Sequence, residues 1–147
     1  MNWLDMAIGL AKQFEGCELK AYPDPVKGWL VPTIGYGATG YGINRNTVWT
    51  QDQADSDLAN RMRTIGSRLD TIVEVPMTDE QKGALADFAY NLGLTALSNS
   101  TLLRLFNSGD SQAASSEFGK WIHAGGVTLP GLVKRRDAER ALFLLGS

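Results

Sequence analysis

Two carboxylates near the N-terminus, Glu15 and Asp24, are nine positions apart and are the first residues whose type and spacing suggest chemistry. Glu15 falls at the end of a predicted helix, where unsatisfied carbonyl groups and any burial disfavour negative charge. A protonated acid there suits general acid catalysis. Glu15 can equally be a surface residue of a fraying turn, and Asp24 can simply cap its own turn. The two residues alone leave these interpretations open.

Hydrolysis of a glycosidic bond needs two carboxylates in different surroundings. The protonated one donates to the leaving oxygen, and the ionised one stabilises the developing positive charge or helps to activate water. Thr33 is a third candidate, because its hydroxyl could orient a water molecule. A Thr in a strand is also favoured for its β-branched shape, so its role stays open.

A helix, a small sheet and a second helix are needed to position these groups. Apolar residues recur at spacings of three and four over Asn2–Phe14, which predicts a helix stopped by Gly16, with Glu15 in its last turn. Residues 19–49 are rich in glycine, proline, aromatic and β-branched residues, which predicts a small antiparallel sheet. A capping-box pattern at Thr50 then begins the longest helical segment.

The rest of the chain is predicted to be helical. A second capping pattern at Thr78 predicts a buried central helix that ends at Gly93. The predicted fold class is α+β, in a single domain with a cleft between two lobes. Shorter helices are predicted over 101–107, 110–122 and 130–145. The predicted division of 1–147 is a β lobe over about 18–49, a helical lobe over 1–17 and 70–147, and a connecting helix over about 50–70.

Composition argues against several classes of function. The 147 residues carry a net charge of −2 and a pI near 5.3, so broad electrostatic binding to nucleic acid is not expected. One Cys and one His allow neither an internal disulfide nor a Cys/His metal cluster. Cys17 is interpreted as a small buried hydrophobe and His123 as a helix-end residue. No apolar run approaches about 18 residues, so neither a secretion signal nor a membrane anchor is expected.

Short motifs are spread along nearly the whole chain. They are Glu15-Gly16, Ala21-Tyr22, Asp24, Thr33-Ile34-Gly35-Tyr36-Gly37, Thr78-Asp79-Glu80-Gln81, Phe88-Ala89-Tyr90-Asn91-Leu92-Gly93, Phe118-Gly119-Lys120-Trp121 and Leu129-Pro130-Gly131-Leu132-Val133-Lys134-Arg135-Arg136. In this order they resemble the bacteriophage lysozyme, or endolysin, family: the muramidases of glycoside hydrolase family 24, in its lambdoid branch. The resemblance implies a lysozyme-like fold with a small β lobe and a larger helical lobe, joined by a long helix, and an active-site cleft between the lobes.

The resemblance also implies roles for particular residues. Glu15 would be the general acid, and Asp24 and Thr33 would complete the catalytic set. The interval from Asp24 to Thr33 is three residues longer than in the shortest family versions, and Ala38 stands where many members have a His. An arginine near the C-terminus would pair with Glu15. The residues implied to bind substrate or pair with the acid are Asn91, Trp121, Arg135 and Arg136, with a helix cap as the alternative for Asn91 and core packing for Trp121. Tyr36 is a substrate-binding candidate for a different reason: it is one of several aromatic residues in or beside the sheet on which a sugar ring could stack, with packing against the first helix as the alternative.

The function implied is that of an endolysin that hydrolyses the β-1,4 bond between N-acetylmuramic acid and N-acetylglucosamine in bacterial peptidoglycan. No metal or organic cofactor is implied. We expect a monomer whose partner is peptidoglycan, with no nucleic acid and no membrane anchor. The family further implies that the protein waits in the host cytoplasm until a holin opens the membrane and then acts on the wall in the periplasm. A lytic transglycosylase and a non-catalytic wall-binding module are the alternatives.

Overall fold

A computed structural model describes residues 1–147, and the elements follow in the predicted order of helix, hairpin and further helices. None of the helices is both long and apolar enough to cross a membrane. The elements are α1 (Trp3–Phe14), β1 (Glu18–Asp24), β2 (Gly28–Gly35), α2 (Gln51–Ile72), α3 (Asp79–Leu92), α4 (Leu94–Ser98), α5 (Thr101–Asn107), α6 (Ser111–Glu117), a 3₁₀ turn (Phe118–Lys120), β3 (His123–Ala124), β4 (Val127–Thr128) and α7 (Pro130–Leu145).

The end of helix α1 positions Glu15. The helix starts at a cap in which the Asn2 side chain accepts a hydrogen bond from the backbone N–H of Asp5 at 2.8 Å. Ala7 and Ala11 are fully buried. Glu15 was expected in the last helical turn but is the C-cap, with extended backbone at φ −93° and ψ 140°. Its N–H still bonds to the carbonyl of Ala11, so the helix ends at this acid and the chain turns towards the first strand.

Strands β1 and β2 form the antiparallel hairpin that the sequence predicts. Tyr22 pairs with Thr33, and two irregularities interrupt the register on either side of this part of the ladder. Beyond the hairpin, residues 36–49 are mostly turns, and a single bridge from Lys20 to Val48 ties them back to β1. This β lobe, residues 18–49, has too little apolar surface to fold alone, so its stability depends on packing against the helices.

Helices α2 and α3 begin at the two capping boxes that the sequence predicts. At Thr50 and at Thr78 the hydroxyl accepts a backbone N–H three residues on, and the Gln side chain there bonds back. Gly93, at φ 99°, ends α3. Helix α3 packs against α1, α2 and α7 and forms the centre of one core. The predicted α+β class is confirmed, and the division into lobes stays a prediction. The large buried core side chains include Leu58, Leu69, Leu85, Phe88, Phe106, Phe118 and Phe143.

The region before α7 differs from the prediction. One helix was predicted over 110–122, but α6 ends at Glu117 and a 3₁₀ turn follows. His123 is therefore not at a helix end: it lies exposed in the two-residue strand β3. Gly125-Gly126, with φ angles of 59° and 80°, forms the tight turn between this strand and the equally short β4. The short helix α4 was also not predicted.

Candidate active site

A cleft of about 520 Å³ lies where the hairpin lobe meets the helices. Its walls come from the end of α1, from the segment after β2, and from α2 and α3. This is the position where the sequence predicted a binding site. The lining residues are Glu15, Tyr36, Gly37, Thr39, Arg61, Thr64, Ile65, Tyr90 and Asn91.

Glu15 presents its two carboxylate oxygens to different surroundings. Oε2 accepts a hydrogen bond from Arg135 Nη1 at 2.6 Å, in an ion pair with a largely buried guanidinium. A Cβ placed on Gly37 would lie 3.7 Å from Oε1, and the positive φ of 87° at that glycine disfavours any side chain there. The Glu15 side chain is 24% exposed, so the carboxylate reaches the cleft.

Arg135 divides its guanidinium between two acids. Nε and Nη2 donate to Asp87 Oδ2 and Oδ1 at 2.9 and 2.7 Å, and Nη1 donates to Glu15. Burial alone would lower the pKa of Arg135, but the hydrogen bonds and charges of Asp87 and Glu15 outweigh it and raise that pKa. Arg135 is therefore a fixed cation between α3, α7 and the end of α1.

Arg136, the other arginine candidate, turns away from Glu15 into the core. Its Nη2 donates to Asn91 Oδ1 at 2.8 Å and to Glu139 Oε2 at 3.0 Å. The guanidinium lies 5.1 Å from the centre of the Phe88 ring. Burial lowers the pKa of Arg136, against the charge of Glu139. Arg136 therefore orients Asn91 at the cleft wall, while Arg135 contacts the acid.

Two tyrosines connect the lobes across the cleft. Tyr90, on α3, donates its hydroxyl proton to the backbone carbonyl of Tyr36 at 2.5 Å. The Tyr36 hydroxyl donates to Asp55 Oδ1 at 2.9 Å. Burial, followed by the hydrogen bond with Asp55, raises the pKa of Tyr36 to about 12. Both phenols therefore stay protonated at neutral pH, and the bond to Tyr36 fixes the segment that carries Gly37.

Asp24 and Thr33 do not line the cleft. Asp24 Oδ1 accepts the backbone N–H groups of Lys27 and Val26, at 2.8 and 2.9 Å, and these bonds lower its pKa. The Thr33 hydroxyl donates to the carbonyl of Val31 at 3.1 Å, and the residue is 6% exposed.

Tyr22 lies on the same hairpin as Asp24 and Thr33. It is the cross-strand partner of Thr33. Burial raises its pKa, and the charges of Glu15, Glu18 and Asp24 raise it further. Both carboxylates of the candidate pair therefore act on the same phenol. Asp24 thus lies in the hairpin and is not part of the cleft wall.

Trp121 lies apart from this group. Its ring meets Phe88 edge-on, with centroids 5.5 Å apart and planes at 84°, and it packs against the core. It is not among the side chains of the cleft wall. The packing alternative is therefore the one that its surroundings favour.

Several residues of the site were not found from the sequence. Asp87 is fully buried behind Glu15, Tyr90 and Arg61 line the cleft, and Arg61 donates through Nη2 to the carbonyl of Thr39 at 2.9 Å. One of them could have been found from the sequence. Asp87 is an acid within the apolar run Gly83–Ala89 of the central helix, and an acid buried there requires a cationic partner. Arg61 and Tyr90 are ordinary helix residues in sequence, and only the packing brings them to the cleft.

A cleft between a β hairpin and a helical body, with a helix-end glutamate held by a buried arginine, defines a lysozyme-type glycosidase. The chain belongs to the phage lysozyme family, whose model matches residues 12–139. The predicted family and lysozyme-like fold are thereby confirmed.

Individual relatives agree with this assignment. An endolysin of Acyrthosiphon pisum secondary endosymbiont phage 1 is 40% identical, over 97% of this chain and 98% of its own length. An endolysin of Bacillus phage B103 is 42% identical over 99% of this chain, which spans only 55% of that relative. The solved muramidase domain of SpmX from Asticaccaulis excentricus superposes with a TM-score of 0.85 at 31% identity, covering 94% of each chain.

Proposed function

We propose that the protein is an endolysin that hydrolyses the β-1,4 bond between N-acetylmuramic acid and N-acetylglucosamine in peptidoglycan and so lyses the bacterial host. Membership of the phage lysozyme family and the endolysin relatives support a peptidoglycan-hydrolysing enzyme. The observation that carries the proposal is the Glu15 carboxylate, with Oε2 held by Arg135 and Oε1 beside a glycine at the cleft.

Glu15 acts as the general acid in this proposal. Its Oε1, the oxygen that Arg135 does not hold, is proposed to deliver the proton to the glycosidic oxygen as the bond breaks. The hydrogen bond from Arg135 to Oε2 fixes the carboxyl group, so the free oxygen meets the substrate in one orientation. Tyr36 and Asn91 line the same cleft and are proposed to contact the sugar chain.

Asp24 is proposed to stabilise the positive charge that develops on the sugar. The two backbone N–H groups that lower its pKa support this role, because they keep its carboxylate ionised at neutral pH. The proposal gives Thr33 the water-orienting role. The Thr33 hydroxyl donates its proton to the carbonyl of Val31, so its oxygen remains available to accept a hydrogen bond from a water molecule.

Product analysis tests hydrolysis against the transglycosylase alternative. Purified peptidoglycan is digested with the protein, and the released muropeptides are weighed by mass spectrometry. Hydrolysis adds water and leaves reducing N-acetylmuramic acid ends, whereas a transglycosylase leaves anhydro ends that are lighter by one water. Reducing ends are expected. Anhydro ends would replace the hydrolase by the transglycosylase, and undigested peptidoglycan that retains the protein would indicate a binding module.

The route to the wall is a separate proposal. We infer that the protein reaches peptidoglycan after a holin opens the host membrane. The test expresses the chain in a bacterial host with and without a co-expressed holin and follows culture turbidity. Lysis only with the holin supports the proposal, and equal lysis without it contradicts it.

A further inference from the structure

We propose that Asp87 is a positioning residue for this reaction, because it aims the guanidinium of Arg135 at Glu15 and offsets the charge that Arg135 presents there. The inference rests on the proposed hydrolysis, with Glu15 as its acid. Asp87 touches neither the cleft nor the substrate and acts through Arg135 alone.

The geometry of Arg135 supports the aiming role. Its side chain is almost fully buried, and two of its three nitrogens are bound to Asp87, at 2.9 and 2.7 Å. A planar guanidinium held at two nitrogens has no freedom to rotate, so the third, Nη1, has a fixed direction. That nitrogen is the one that donates to Glu15 Oε2 at 2.6 Å. Loss of the bonds to Asp87 would allow the guanidinium of Arg135 to rotate away from Glu15.

The charges around Asp87 support the offsetting role. Arg135 and Glu139 face it from α7, Arg136 lies behind Glu139, and Glu15 lies beyond Arg135. Burial and then the hydrogen bond and charge of Asp87 raise the pKa of Glu139, against both arginines. Glu139 is therefore biased towards its neutral form. Asp87, which holds Arg135 through two hydrogen bonds, is then the acid placed to offset the charge of the guanidinium.

Packing alone does not call for an acid at this position. Asp87 is fully buried on the central helix between the buried side chains of Ala86 and Phe88. Exchanging a buried ion pair for apolar residues is often neutral or stabilising, because both charges must be desolvated. The Asp87–Arg135 pair, however, also places a hydrogen-bond donor against Glu15, which an apolar pair could not do.

The test is Asp87→Asn, which keeps the side-chain shape and removes the charge. Without the anion, the full charge of Arg135 faces Glu15 and favours its ionised form, so the acid is lost at lower pH. With soluble uncrosslinked glycan strands as substrate, we expect kcat at pH 7 to fall by about tenfold or more, with KM changed less than about twofold. The basic limb of the pH profile of kcat is expected to move to lower pH.

The matched control is Asp70→Asn. Asp70 lies on α2, and its ion pair with Lys82 of α3, at 2.8 Å, is exposed on the Asp side and outside the cleft. The control changes the net charge by the same amount and should keep the wild-type kcat and pH profile. Circular dichroism at the assay temperature establishes that each variant is folded.

The outcomes separate this inference from the proposed function. If wild type does not cleave glycan strands, the proposed function fails. If wild type is active and Asp87→Asn keeps its kcat and basic limb, only the positioning role is overturned. Should Asp87→Asn not fold, Asp87→Ser takes its place with the same expectations. If neither variant folds at any assay temperature, Asp87 serves the fold alone and the inference is wrong.

Discussion

Glu15 is held by a residue that lies 120 positions away in sequence. The sequence pointed to Glu15 through its location at a helix end and left two arginines as partners. The structure puts Arg135 against the carboxylate and Arg136 against Asn91. Adjacent residues on a helix point in different directions, so only the rotation of α7 decides between them. That rotation depends on packing, which no local sequence pattern expresses.

Asp24 is the residue whose catalytic role most needs a direct test. We expect Asp24→Asn to lower the rate of peptidoglycan cleavage by about 100-fold, because the neutral amide no longer stabilises positive charge on the sugar. The variant should stay folded, since an Asn oxygen can accept the same bonds from Val26 and Lys27. Reducing-end release measures the rate, and urea unfolding measures the stability.

Asp110→Asn is the control for Asp24. Asp110 also uses its side-chain oxygen to accept a backbone N–H, from Ala113 at 2.9 Å, but it caps α6 away from the cleft. The Asp110→Asn variant should keep both the wild-type rate of cleavage and the wild-type stability. Full activity in Asp24→Asn would show that Asp24 only caps its turn.

At the scale of elements, α1 and α2 meet through a close contact that a single methyl group would disrupt. A Cβ on Gly66 would lie 2.2 Å from Cη2 of Trp3, and the same indole is covered by Lys82, whose Nζ is 4.7 Å from its centre. Gly9, inside α1, has no atom within 4 Å of such a Cβ. The two glycines therefore offer matched helix-interior substitutions with and without a clash.

We expect Gly66→Ala to be less stable than Gly9→Ala by about 1–3 kcal/mol in chemical unfolding. Both changes gain the same helix propensity, of up to about 1 kcal/mol, so their difference isolates the overpacking against Trp3. Equal stability of the two variants would mean that the indole moves aside freely and that this contact does not fix the angle between the helices.

The elements themselves were largely predictable, because capping residues and apolar periodicity are local signals. Thr50, Thr78 and Gly93 bound their helices as expected. The errors fell where local signals are weak. The predicted helix over 110–122 stops early, and the small hairpin that holds His123 forms because Gly125-Gly126 allows positive φ angles.

The site was less predictable than the fold. Motifs pointed to Glu15 and Asn91, which both line the cleft, since both stand in recognisable local segments. Asp87 and Arg61 were missed, because their roles depend on which helix faces which. A buried charge in a central helix was the one local sign of the ion-pair network.

At the scale of the whole molecule, the buried network makes stability depend on pH. The pKa of Glu139 is raised in the folded protein, so the folded state keeps a proton that the unfolded state loses above about pH 4.5. Rising pH therefore favours unfolding. The stabilisation that Glu139 contributes is lost as the pH rises from 4.5 towards the pKa of Glu139 in the folded protein. Glu139→Gln does not titrate. The lowered pKa values of Asp24 and Asp55 affect the free energy of unfolding at more acidic pH, and they do so equally in wild type and in Glu139→Gln.

We expect the free energy of unfolding of wild type, minus that of Glu139→Gln, to decrease as pH rises from 5 to 7. Urea titrations at constant ionic strength measure the difference. A difference that stays constant, or that grows with pH, would show that Glu139 is ionised in the folded protein.

Glu15 is the acid on which the proposed hydrolysis depends, and Glu15→Gln tests this role most directly. The amide can still accept the Arg135 bond but has no acidic proton, so folding should be retained. Glu18→Gln is the matched control, since Glu18 is an exposed residue of β1 outside the cleft. In a turbidity assay on purified peptidoglycan, we predict that Glu15→Gln loses at least about 1000-fold in rate while Glu18→Gln keeps wild-type activity. A folded Glu15→Gln protein that clears peptidoglycan at the wild-type rate would contradict the account.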